Sequence, residues 1–99
     1  MDQKARLEKA REIQGEIGRI LLRHWDPVGV RDEPRARDEY DHYVGGVYRL
    51  LASGASPEAV AEHLCAVEAE WMGLAQARPG NLLPVAAKLC SLDVRLQEK

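Results

Sequence analysis

HWDPVGVRDEPRARDEYDHYVGG, residues 24–46, is the stretch on which the fold turns. Pro27 has no N–H and a fixed φ, and it moves the preceding Asp26 out of the helical region. A helix arriving from the N-terminal side must therefore stop near Trp25. Gly29 permits a positive φ where the turn needs one. Asp32, Glu33 and Pro34 then read as a helix start, with an acceptor near the cap, an acid in the first turn and a proline where its missing N–H costs little. The stretch is an ordered corner joining two helices, with Trp25 packed into the angle.

The segments on either side carry helical periodicity. Ala10, Ile13, Ile17, Ile20 and Leu21 share one face of residues 3–24, and His24 falls on the same stripe, which predicts a partly buried imidazole at a helix C-terminus. A second helix is expected over residues 35–53, with Gly54 as its left-handed stop. Its inner side holds Tyr40, Tyr43, Val44, Val47, Leu50 and Leu51. Its outer side holds Asp38, His42, Gly45 and Arg49, with Asp41 flanking. Ser56 caps a third helix over 57–72, Pro57 opens it and Gly73 closes it. After a turn at Pro79 and Gly80, Val85, Leu89, Leu92 and Leu96 mark a fourth over 84–96. There is no period-two strand, internal repeat or low-complexity tract. The expectation is a single all-α domain, a mostly antiparallel bundle of four helices.

Composition limits what such a bundle can do. With 99 residues the chain has room for one modest core, and 45% hydrophobic against 30% charged residues is ordinary for a globular protein. A net charge of -2 offers no general field for a nucleic acid backbone. No apolar run approaches the roughly 18 residues that cross a bilayer, and the charged N-terminus lacks a signal-peptide core, so the expected location is cytoplasmic. Cys65 and Cys90 lie within helical patterns away from any metal-type spacing; they read as reduced packing cysteines, with a disulfide between the last two helices as the alternative.

Certain strings resemble a family of small bacterial helical proteins of unknown function. They are LLRHWDPVGV (21–30), DEYDHY (38–43), YRLLASGAS (48–56) and the HL, VE and WMGL positions of the third helix. The shared signature is L-x-x-W-D-P-[IV]-G-V, D-E-Y-D-x-Y and M-G-L, and the match covers roughly residues 17–75. The resemblance implies a compact all-helical fold and brings no activity with it.

Three constellations could carry function. Asp38, Asp41 and His42 have the one-turn spacing of helical metal ligands, or of a carboxylate and imidazole acting as an acid–base pair. Acids in the first turns of a helix are also favoured by its dipole alone. Trp25 and Asp26 suit a structural corner, the carboxylate bonding turn N–H groups, and equally a partner contact. Gly45 and Gly46, adjacent in mid-helix, cost about 2 kcal/mol relative to alanine; they imply a close approach, either by the first helix at Gly15 or Gly18 or by another chain. Nucleotide and serine-hydrolase chemistry lack their motifs, so no catalytic residue, cofactor or metal is assigned.

The reading that follows is a non-enzymatic protein-binding module, in its most concrete form an acidic immunity-type or adaptor protein for a basic partner. Trp25, Asp26, Asp38, Asp41, His42, Gly45, Glu58 and Glu62 are its candidate contact residues, and a homodimer through the two glycines is compatible with it. The alternative is a small metal-binding protein or metal-dependent enzyme using Asp38, Asp41 and His42.

Overall fold

The computed structural model describes residues 3–27, 29–30, 32–36, 38–73 and 78–94. Four helices form the fold: α1 (Gln3–Ile20), α2 (Asp41–Ala52), α3 (Pro57–Ala66) and α4 (Pro79–Cys90). Among the described residues there is no strand. The molecule measures 44 × 31 × 20 Å. α3 and α4 make the broadest pairing; α1 lies on α2, α4 crosses α1, and α2 meets α3.

Each helix contributes a stripe to one aliphatic core. Ile13, Ile17 and Leu21 come from the first helical segment, Val44, Val47 and Leu51 from α2, Val60, Ala61 and Leu64 from α3, and Val85, Ala86 and Leu89 from α4. Burying such side chains provides roughly 1.5–3 kcal/mol each for the larger ones, which gives the bundle its main cohesion. Cys65 and Cys90 are half-buried and no disulfide joins them; instead the Cys90 thiol donates to the Ala55 carbonyl at 3.7 Å. Burial, and secondarily the charge of Glu58, push that thiol's pKa up.

The first helix does not stop at Ile20 but widens into a π-helical turn over Leu21–Trp25, closed by the Asp26 N–H on the Leu21 carbonyl at 2.9 Å. Ile13, Ile17, Leu21 and Trp25 repeat every four residues, and on a 3.6-residue helix such a repeat drifts about 40° per step around the axis. The i→i+5 turn reverses part of that drift and brings Trp25 over the core. It also swings His24 outward. His24 is exposed, not half-buried on the stripe as uninterrupted helical spacing predicts.

Two other boundaries differ from the periodicity. The start signal at Asp32–Pro34 produces only a 3₁₀ turn, Pro34–Ala36, with Glu33 accepting from the Arg35 N–H at 3.2 Å. α2 begins six residues later than expected, at Asp41, because the turn at 38–40 points Tyr40 inward. α4 starts at Pro79 and ends at Cys90; the expected turn residues Pro79 and Gly80 form its first turn, and Pro84 lies inside the helix, where it cannot donate to the Gly80 carbonyl. The expected extension to residue 96 lies partly outside the described residues. Other signals act as read. Ser56 accepts from the Ala59 N–H at 3.1 Å. Gly54 (φ 81°) closes α2 with the Gly54 N–H on Leu51 and the Ala55 N–H on Leu50, a Schellman cap.

Candidate functional site

The corner is built around Asp26. Proline at 27 excludes the right-handed helix, but Asp26 does not become extended: it takes the left-handed conformation (φ 36°, ψ 56°), the single non-glycine to do so among the described residues. Asp tolerates this region because its short carboxylate finds local partners. Its Oδ1 accepts from the Val30 N–H at 2.7 Å and from the Tyr40 hydroxyl at 2.8 Å. Its carbonyl accepts from the N–H of Gly29, itself at φ 73°. A side chain only 7% exposed thus ties the turn to the residue before α2.

Trp25 closes the other side. Its ring lies 5.2 Å from Tyr40 and 6.0 Å from Tyr43, the latter edge-on, and its Nε1 donates to Glu68 Oε2 at 3.0 Å. Glu68 stands on a second π-helical turn, Val67–Trp71, that continues α3. The corner therefore locks three parts of the chain: the end of the first helix, the start of α2 and the end of α3. Trp25 and Asp26, both expected among the contact residues, are buried, 6% and 7% exposed.

The remaining candidates are on the outside. Asp38, Asp41, His42, Gly45, Glu58 and Glu62 are all exposed. Asp38 and Asp41 line an open groove of about 510 Å³ with Pro34 and Arg35, whereas His42 turns to a different cavity. Among the described residues no three His, Cys, Asp or Glu side chains are placed to hold one metal ion.

That second cavity, about 180 Å³, lies between α2 and α3 and is lined by His42, Tyr43, Gly46, His63 and Val67. The His42 ring meets Tyr43 edge-on at 5.4 Å. His63 is half-buried against Gly46, its Nε2 3.2 Å from where a Cβ on that residue would lie. Burial lowers the His63 pKa below its ordinary value, which favours the neutral imidazole. The close approach at Gly46 is thus made by α3, not by the first helix. The first helix meets α2 at Gly18 instead, where a Cβ would be 3.5 Å from Asp41 Oδ1 and 3.7 Å from Val44 Cγ2. Gly45 has open space above it.

Sequence reasoning overlooked Tyr40 as a hydrogen-bond donor, Glu68 as the acceptor for Trp25, and His63 altogether. The one signal for His63 was Gly46, since a glycine in mid-helix implies a bulky neighbour close by.

Fold and corner together define a small all-helical domain with a hydrogen-bonded polar corner beside an aliphatic core. Comparison with family models, curated proteins and solved structures finds no match. No helix among the described residues is long and apolar enough to cross a membrane.

Proposed function

We propose that the protein is a non-enzymatic module that docks on a basic protein through the outer faces of α2 and α3. Segregation of charge along the chain supports this reading. Residues 32–73 carry nine acids and three bases, while residues 1–31 carry five acids and seven bases and residues 74–99 two and four. A net charge near zero thus hides an acidic middle, and Asp38, Asp41, Glu58 and Glu62 within it are exposed. Exposed carboxylates on a segment of one net sign attract an oppositely charged partner. An immunity-type or adaptor protein that covers a basic partner is the particular form this takes. The likeness to the small bacterial helical family rests on the WDPVGV, DEYDHY and MGL strings and adds no activity.

The test is affinity capture at low and high salt with wild-type protein and the neutralised Asp38→Asn, Asp41→Asn, Glu58→Gln, Glu62→Gln variant. The expected result is a basic protein retained by the wild type at low salt, released at high salt and not retained by the variant. Equal recovery of the same proteins by both forms overturns the proposal. Elemental analysis addresses the metal alternative: stoichiometric metal lost on His42→Ala, with the fold retained, would replace docking with metal binding.

A further inference from the structure

The cavity between α2 and α3 shares His42 with the proposed contact residues, but its chemistry differs from that of the exposed carboxylates. Among the described residues its lining is His42, Tyr43, Gly46, His63 and Val67, three rings with no carboxylate, lysine or arginine. These residues present no counter-charge to a charged ligand. It is open to solvent on one side, and at about 180 Å³ it has the volume of one ring with a small substituent, the scale of the roughly 150 Å³ enclosed cavity that accepts benzene.

The polar groups specify the substituent. A neutral imidazole presents one donor and one acceptor, and two imidazoles, from neighbouring helices, line this one space. Filling the α2–α3 contact with alanine and leucine would stabilise the bundle more simply than placing a half-buried imidazole over a helix-weakening glycine. The arrangement suits a guest that uses the imidazole's hydrogen-bonding capacity while its ring packs on Tyr43 and Val67, beside the contact of His63 with Gly46.

We propose that this cavity binds a single phenolic ring, its hydroxyl donating to the imidazole of His42 or His63. The ring can belong to a small free phenol or to a tyrosine side chain presented by a partner. The site stands whether or not the acidic face docks a protein.

Titration of the isotope-labelled full chain with 4-methylphenol, followed by amide chemical shifts, tests it. The expected result is saturable change centred on Tyr43, Gly46 and Val67, with toluene binding at least about tenfold more weakly. His63→Leu, which keeps the bulk, and the exposed His42→Ala are then compared; at least one loses the preference for the phenol, and His42→Ala retains a readout if His63→Leu does not fold. A peptide with tyrosine between lysine pairs distinguishes the sources: competition with 4-methylphenol assigns the ring to a partner's tyrosine, and binding of 4-methylphenol alone assigns it to a free phenol. Unsaturable shifts, equal affinity for toluene, or changes centred elsewhere overturn the proposal.

Discussion

The corner at Trp25–Asp26 and the cavity at His42–His63 are made of the same materials, aromatic rings and polar side chains beside α2, yet they are arranged in opposite ways. At the corner the polar atoms are matched to partners: the Asp26 carboxylate to Val30 and Tyr40, the Trp25 indole to Glu68. At the cavity a half-buried imidazole packs against Gly46 and faces open space on its other side. A buried polar group that is satisfied rigidifies its surroundings, whereas one that is partly desolvated and still accessible retains capacity for a ligand. The corner therefore holds the molecule together and the cavity is where it can respond to something else.

This contrast is most sharply tested at Asp26. Asp26→Ala leaves the Val30 N–H and Tyr40 hydroxyl without their acceptor and puts alanine in a left-handed conformation, so unfolding by urea should show a loss of roughly 3 kcal/mol. Asp26→Asn keeps an acceptor and tolerates the backbone, and should lose clearly less. If Asp26→Ala unfolds at the wild-type midpoint, the corner is not the structural lock described.

Trp25→Phe keeps a ring against Tyr40 and Tyr43 while deleting the indole donor to Glu68. A loss of about 1–2 kcal/mol is expected, measured the same way. In a double-mutant cycle with Glu68→Ala the two losses should fall well short of adding; simple additivity would mean the 3.0 Å hydrogen bond contributes nothing.

The two adjacent glycines differ in what lies above them. A Cβ on Gly45 meets nothing within 4 Å, so Gly45→Ala should stabilise the protein by about 0.5–1 kcal/mol through helix propensity. Gly46→Ala should gain less or lose stability, because its Cβ meets the His63 imidazole at 3.2 Å. With His63→Ala in the background, the gain at Gly46 should return. Equal gains at both positions in the wild-type background would remove the packing role assigned to Gly46.

The smallest effect concerns pH. Because burial lowers the His63 pKa, the unfolded chain takes up a proton more readily as pH falls below about 6.5. Linkage then makes stability decline from that pH downward, toward the lowered folded value, with no contribution from this group above it. Urea midpoints at pH 7.5 and 5.5 should differ more in the wild type than in His63→Gln. An identical difference in both would show that His63 is not desolvated in solution.

Much of this was legible in the chain. The glycine stops at Gly29, Gly54 and Gly73, the Ser56–Pro57 helix start, the aliphatic stripes and the polar outer face of α2 all follow from local rules that act within a turn or two. Less legible were the π-helical turns, the delayed start of α2, the outward swing of His24 and the pairing of His42 with His63 across one cavity. These depend on residues far apart in sequence: Tyr40 reaches 14 residues back to Asp26, and Trp25 reaches 43 residues forward to Glu68. Periodicity cannot register such bonds.

By itself, then, the sequence determined that four aliphatic-faced helices would pack around a single core and that the middle of the chain would be acidic, because spacing and charge are properties of the chain at short range. Tertiary structure alone decided that Trp25 and Asp26 would be interior, that Asp38 and Asp41 would part from His42, and that His63 would settle over Gly46. Each of those outcomes is chosen by hydrogen bonds and packing between helices, which exist only after the chain has closed on itself.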